Sequence, residues 1–269
     1  MNQKLMVAAI QMVSGASLKE NLTIAGQLIA QAVETGAQLV ALPEYFCMLG
    51  RKDTDKLDIA EAPGAGPIQQ FLSETAAMHQ IWLSCGSMPL ISPDPARVFN
   101  TQLIFDPSGR QISRYDKIHL FGFERGTESY DESRGILAGR TVERINTPVV
   151  NLGLSICYDL RFPELYRALG EVDLILVPSA FTYTTGQAHW EILLRARAIE
   201  NQCYVLAPAQ GGIHENGRRT WGHTMLIDPW GEIMDVLPEQ AGVVSGTIDP
   251  VRLQEVRQAL PALKHRTLY

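Results

Sequence analysis

The sequence predicts a layered α/β sandwich, sheets with helices on their outer faces. Three observations carry this reading. Strand and helix patterns alternate early in the chain. Hairpin signals follow in the middle and late, where Asp106-Pro107-Ser108-Gly109 and Asp228-Pro229-Trp230-Gly231 separate apolar runs. Gly and Pro are spread evenly, without repeat or linker, so residues 1–269 read as one domain.

Leu5 to Gln11 reads as the first strand. Ser17 and Glu20 form an S-x-x-E capping box that opens a helix. Leu18, Leu22, Ala25, Ile29 and Ala32 share one face of it, and Gly36 stops it. Gln38 to Leu42 is a buried strand ended by Pro43-Glu44. Pro67 to His79 is a helix; Ile81 to Met88 and Asn100 to Phe105 are strands. Gln111 to Tyr115 pairs back across the first turn. Lys117 to Gly139 has no clear period and reads as a long functional loop. Val149 to Ile156 is an apolar strand, followed by a short helix over Arg161 to Leu169 with Pro163 near its first turn. Leu174 to Val177 is a strand, and His189 to Asn201 a helix. Tyr204 to Ala207, His223 to Ile227, Ile233 to Leu237 and Val243 to Ile248 are strands, and a last helix begins near Pro250.

Composition removes several function classes. With 46% hydrophobic and 19% charged residues the chain is neither disordered nor fibrous. A chain of 269 residues buries roughly three quarters of its unfolded surface and needs no staple. The net charge of −6 argues against a nucleic-acid partner, which requires a basic face. The apolar run Leu5 to Ile10 is shorter than a signal-peptide core or a membrane span. A cytoplasmic location with free thiols and no membrane partner is therefore expected. Cys47, Cys85, Cys157 and Cys203 contain no C-x-x-C pair. No His, Asp or Glu trio has metal spacing, and no G-x-G-x-x-G or P-loop occurs, so no metal or cofactor is implied.

Chemistry points first to Cys157. It ends the Val149–Ile156 strand and is followed by Tyr158-Asp159-Leu160-Arg161 and a helix. Strand, nucleophile, turn and helix make a nucleophile elbow, and the helix N-terminus is expected to favour thiolate. A cysteine there is also a common packing residue. Glu44 ends the second buried strand, where α/β proteins bind ligands, and a desolvated carboxylate there can act as a base. The alternative is a solvated acid. Lys117 closes a third strand, from which a cation can lower a thiol pKa or hold an oxyanion; a lysine at a loop start is also a common solvent-facing residue. Together, three strand ends supply base, cation and nucleophile, the set that amide hydrolysis needs. His119, His189 and His223 sit near element ends. They read as hydrogen-bonded scaffold, with a Cys–His hydrolase as the competing arrangement. Cys47, Cys85 and Cys203 read as core.

Leu42-Pro43-Glu44, Tyr115-Asp116-Lys117-Ile118-His119-Leu120 and Gly153-Leu154-Ser155-Ile156-Cys157-Tyr158-Asp159-Leu160-Arg161-Phe162-Pro163-Glu164 resemble, in order and spacing, the three signature segments of the nitrilase superfamily, the carbon–nitrogen hydrolases. The Nit-type amidase branch, with its ω-amidases and deaminated-glutathione amidases, is the nearest resemblance. Thr184–Trp190 and Trp221-Gly222-His223 are similar to that branch too. The resemblance spans about Lys4 to Leu260.

It implies a four-layer αββα sandwich, usually a homodimer. It implies Glu44, Lys117 and Cys157 as catalytic residues, with Glu132 as a second acid that positions the lysine. An oxyanion would be held by Lys117 and the Tyr158 backbone N–H. Arg161 matches a position that grips a substrate carboxylate in related carbamoylases, though it could equally pair with Asp159 or Glu164. Phe181 and Thr182 are expected at the substrate. The implied reaction takes a small terminal amide on an acid-bearing chain to carboxylate and ammonia through a thioester. Deaminated glutathione is the first-choice substrate, with α-ketoglutaramate or an N-carbamoyl amino acid as alternatives. A non-catalytic binding or redox-sensing protein remains the other class. One segment departs from the branch: Gly122-Phe123-Glu124-Arg125-Gly126-Thr127-Glu128 replaces the usual acid and later proline, and is expected to shape the pocket.

Overall fold

The computed structural model describes residues 3–126 and 128–268, so Thr127 of the departing segment lies outside the described residues. The chain opens with β1 (Leu5–Gln11), α1 (Leu18–Glu34) and β2 (Leu39–Ala41). Ser17 caps α1 by accepting the Glu20 N–H, as the capping box requires. A one-turn helix α2 (Asp55–Asp58), α3 (Pro67–His79), β3 (Trp82–Ser84), β4 (Met88–Ile91), β5 (Val98–Phe105) and β6 (Gln111–Asp116) follow. The middle holds β7 (Gly122–Arg125), β8 (Glu128–Asp131), β9 (Arg144–Asn146), β10 (Asn151–Leu154), α4 (Pro163–Ala168) and β11 (Leu174–Leu176). The chain ends with α5 (Tyr183–Asn201), β12 (Tyr204–Ala207), β13 (Gly211–Ile213), β14 (Arg219–Trp221), β15 (Thr224–Ile227), β16 (Ile233–Leu237), β17 (Gly242–Ile248) and α6 (Pro250–Ala259).

Two sheets form. One runs β17-β1-β2-β3-β5-β4 with β6 beside β5, and the other runs β16-β15-β12-β11-β10-β9. Their central strands are parallel, β1 to β2 to β3 and β10 to β11 to β12. The alternation of β1 shows how the layers stack. Leu5, Val7 and Ala9 share one core with Leu152, Leu174 and Leu206 of the second sheet. Ala8 and Ile10 face the other way, into a core with Ile29 of α1 and Leu72 of α3. Trp190 and Leu194 of α5 cover the far side of the second sheet. The order is helix, sheet, sheet, helix, because both faces of each central sheet are apolar and each must be covered.

Several boundaries differ from the sequence reading. The predicted Ile81–Met88 strand is two strands, β3 and β4, bent at Gly86 (φ +64), where a Cβ would lie 2.1 Å from the Pro43 carbonyl oxygen. The predicted Lys117–Gly139 loop contains the β7–β8 hairpin and a 3-10 turn, Glu132–Arg134. Its strands lie largely in solvent, so no buried face left an alternating signal. Helix α5 begins at Tyr183 rather than His189, capped by Thr182. Gly186 allows this early start, since a Cβ there would lie 2.2 Å from the Cβ of Trp221. The predicted Arg161–Leu169 helix is a 3-10 turn over Cys157–Arg161 followed by α4. Strand β9, the β13–β14 hairpin and α2 were not foreseen; each is at most four residues long. Among the described residues, no helix is long and apolar enough to cross a membrane.

Candidate active site

Glu44, Lys117 and Cys157 come together where β2, β6 and β10 end. Glu44 is 1% exposed. Its Oε1 accepts Lys117 Nζ at 2.9 Å and Asn100 Nδ2 at 2.9 Å, and its Oε2 accepts the Ala180 N–H at 2.8 Å. Three donors fix this carboxylate in place. Asn100 is itself set by strand pairing, since its carbonyl accepts the Lys117 N–H at 2.9 Å.

Lys117 is fully buried. Its Nζ reaches Glu132 Oε2 at 2.8 Å and Oε1 at 3.1 Å. Burial acts to discharge it, but Glu132 and Glu44 overcome that and hold its pKa well above the usual lysine value. Glu132 rises from the 3-10 turn after β8 and also accepts the Phe121 N–H at 2.8 Å and the Tyr45 hydroxyl at 3.2 Å. Burial pushes Glu132 up, and Lys117 and Lys56 bring it below the usual carboxylate value.

Cys157 stands at φ +51, in the left-handed region, and its N–H donates to the Pro178 carbonyl at 3.0 Å. A cysteine is rarely held there without a reason, and the sharp turn is the elbow expected from sequence. Asp159 pins this elbow. Its carboxylate accepts the Ile156 N–H at 2.9 Å, the Tyr115 hydroxyl at 2.7 Å and the His119 N–H at 3.0 Å. The first internal bond of the turn is Asp159 N–H to Ile156 O, which leaves the Tyr158 N–H ahead of the ladder.

The resting sulfur is a thiol, against the expectation of a favoured thiolate. Burial pushes the Cys157 pKa up, the Glu44 carboxylate adds to this, and Lys117 opposes it without prevailing. The element starting at Cys157 is a five-residue 3-10 turn, too short to supply the expected helix field.

A narrow pocket opens over Cys157. Arg161, Phe181 and Thr182 line it, as does Tyr158. The Arg161 guanidinium lies 5.4 Å from the Phe181 ring centroid and 5.7 Å from that of Tyr158. Its nearest polar partner is His189 Nδ1 at 3.3 Å. Asp159 is fully engaged elsewhere, and among the described residues Arg161 makes no ion pair, so pairing with Asp159 or Glu164 is not found. The Thr182 hydroxyl is committed to capping α5, accepting the Thr185 N–H at 3.4 Å.

No histidine lines the cavity. His119 sits behind it, 2.7 Å from Asp159 and stacked on Phe162 at 3.7 Å. His223 stacks on Trp221 at 4.1 Å. Cys47, Cys85 and Cys203 are buried core; burial raises all three thiols, Cys85 and Cys203 to about 12. Among the described residues, no group of three His, Cys, Asp or Glu side chains is placed to hold a metal. Sequence reasoning missed Tyr45, Asn100 and Arg218. Tyr45 adjoins Glu44 and Asn100 opens a predicted strand, whereas nothing in the sequence marks Arg218.

The carbon-nitrogen hydrolase signature matches residues 6–258. A protein of Synechocystis sp. named deaminated glutathione amidase is 45% identical over 267 residues, covering 97% of each chain. One of that name from Yersinia enterocolitica is 42% identical, covering 96% of this chain and 92% of its own. The crystal structure of Saccharomyces cerevisiae Nit3, a member of branch 10 of the nitrilase superfamily, superposes with a TM-score of 0.90. Its identity is 30%, covering 99% of this chain and 97% of Nit3. The Caenorhabditis elegans NitFhit structure gives 0.91 at 40% identity, covering 98% of this chain and 65% of NitFhit.

Proposed function

The chain belongs to the carbon-nitrogen hydrolase family, and within it we propose a cysteine amidase whose substrate is deaminated glutathione. The carrying observation is the Glu44 carboxylate, bonded to Lys117 and turned toward the Cys157 thiol in one cavity. The names of its relatives at 42–45% identity support the substrate.

In this reading Glu44 takes the Cys157 proton as the sulfur attacks the amide carbon. The new oxyanion is held by Lys117 Nζ and the Tyr158 N–H; a donor so placed is worth about 3 kcal/mol. Protonated Glu44 then gives its proton to the leaving nitrogen, and a thioester remains on Cys157. Glu44 next deprotonates a water, which attacks the thioester, and the acid leaves as the thiol is restored. Glu132 holds the Lys117 ammonium through both halves. The scheme calls on no cofactor. Arg161 and Phe181 would seat the acid-bearing end, with Thr182 shaping the wall. With deaminated glutathione the leaving amine is that of cysteinylglycine, which corrects the expected terminal amide and ammonia; ammonia leaves only from α-ketoglutaramate.

We read the working form as a cytoplasmic homodimer with a metabolite-repair role, residues 1–269 acting as one catalytic domain. Ile192 and Ile199 of α5, 70% and 48% exposed, support a partner surface. Steady-state turnover of deaminated glutathione and α-ketoglutaramate, with the freed amine measured, tests the substrate. The expected result is a higher kcat/KM for deaminated glutathione, with an acyl adduct on Cys157 seen by mass spectrometry. Turnover of neither amide, or a sulfenic acid without any adduct, would overturn the reading.

A further inference from the structure

Arg218 is the one cavity-lining cation that neither the family motifs nor the scheme above uses. It projects from the start of β14, and the preceding turn is tied down. The Asn216 side-chain amide donates to the Gly50 carbonyl at 2.7 Å, the Arg218 N–H donates to Asn216 Oδ1 at 2.9 Å, and Glu215 pairs with Arg51. Its neighbour Arg219 is spent on structure, paired with Glu239 at 3.1 Å and lying over Tyr183 at 3.6 Å. Among the described residues Arg218 makes no ion pair. Its Nε is buried without a hydrogen-bond partner, and its guanidinium lies over the Tyr130 ring at 4.9 Å.

Position gives this guanidinium a direction. A second, small cavity adjoins the first, and Tyr45, Phe121, Glu132 and Arg218 line both. It therefore lies on the Glu132 side of Cys157, away from Arg161. Lys56 lines it too, with its Nζ 4.7 Å over the Tyr45 ring and no ion pair among the described residues. Of the acids there, Glu132 is held by Lys117 and Asp131 by Arg134, and the charge of Asp53 acts on Lys56. Arg218 and Lys56 thus face the second cavity without an ion pair among the described residues, while its third cation, Arg134, is held by Asp131.

We propose that Arg218, backed by Lys56, binds the carboxylate of the substrate's leaving group, and so selects amides whose amine half is an acidic peptide. The inference rests on the deaminated-glutathione reading, in which that carboxylate belongs to the terminal glycine. Arg161 would seat the acyl end and Arg218 the departing end, with the scissile bond over Cys157 between them.

The test compares deaminated glutathione with its glycinamide analogue, which lacks only that charge, in wild type and R218Q. Each acid-to-amide ratio of kcat/KM is taken within one protein, so poor folding of the variant cancels. Wild type is expected to favour the acid by about 10- to 100-fold, the worth of a charge-assisted hydrogen bond to a carboxylate. R218Q is expected to bring the ratio to within about threefold of one, with the loss carried mainly in KM because the contact exists before the chemistry. Equal ratios in the two proteins would overturn the inference while leaving the substrate reading intact. Failure of wild type to cleave deaminated glutathione would overturn both.

Discussion

Lys117 Nζ lies 2.8 Å from Glu132 Oε2, in a place where the lysine side chain has no exposure and the glutamate has 16%. The pair joins the end of β6 to the turn after β8, and among the described residues Lys117 alone forms ion pairs with both Glu132 and Glu44. Its removal would strand two carboxylates in a closed space.

Lys117→Met is therefore expected to cost about 3–5 kcal/mol of stability, the usual cost of leaving buried charge unpaired. Denaturant unfolding at neutral pH measures it. The double variant with Glu132→Gln is expected to be less damaged than the two singles summed. A loss below about 1 kcal/mol for the single variant would show that the carboxylates find other partners.

The raised thiol pKa gives a second expectation. Alkylation of Cys157 by iodoacetamide is expected to keep rising as pH passes 9, the ordinary thiol value, without a plateau. Burial first, and the Glu44 carboxylate after it, hold the thiol protonated, so Glu44→Gln is expected to alkylate faster at pH 8 while losing turnover. A plateau below pH 8 in the wild type would mean the resting group is a thiolate after all.

Glu132 links the site to acid stability. Its folded pKa lies below its ordinary value of 4.5, so its contribution is present above pH 4.5 and lost as pH falls through the folded pKa. The stability gap between wild type and Glu132→Gln is expected to be constant from about pH 6 to 9 and to close in acid. Lys117 behaves oppositely: its contribution holds below 10.5 and is lost only as pH rises through its folded pKa. Unfolding measured at a series of pH values from 3 to 9 reads the gap directly; a gap that widens in acid would reverse the assignment.

Backbone strain at Cys157 predicts an inversion of the usual residue preference. At φ +51 an alanine pays the left-handed cost and a glycine does not. Cys157→Gly is thus expected to be at least as stable as Cys157→Ala, although glycine ordinarily costs about 0.5–1 kcal/mol. Both are expected to lose about 10³-fold or more in turnover. Thermal unfolding of the two variants side by side decides it, and a clearly more stable alanine variant would count against a strained elbow.

Much of the fold was legible because its central strands are short apolar runs closed by Pro, Gly or acid. Glu44 and Cys157 follow such runs and Lys117 follows the alternating strand β6, but local pattern alone left a bland alternative for each; their order and spacing, similar to the nitrilase signature segments, singled them out. The Thr182 cap and the true start of α5 were missed because Tyr183–Ala188 carries little apolar face; its helical form rests on packing against Trp221. Asn100 bonds to Glu44 from 56 residues away, and the Tyr45–Glu132 bond spans 87. Such contacts belong to the sheets' assembly and leave no trace in spacing. The thiolate expectation failed on a different ground. It weighed the end of a helix, and the opposing carboxylate and burial proved stronger.

The bond from the Ala180 N–H to Glu44 Oε2 crosses 136 positions of chain and joins the outlets of the two sheets. A ribosome releases Glu44 long before Ala180, so the nascent base waits for its last donor until the second sheet has been made and docked. Chains halted between Cys157 and Ala180 carry the sulfur without its proton acceptor fully fixed beside it. Competence to cut an amide arrives late, as a property of the closed sandwich, and an abandoned or truncated chain stays chemically mute.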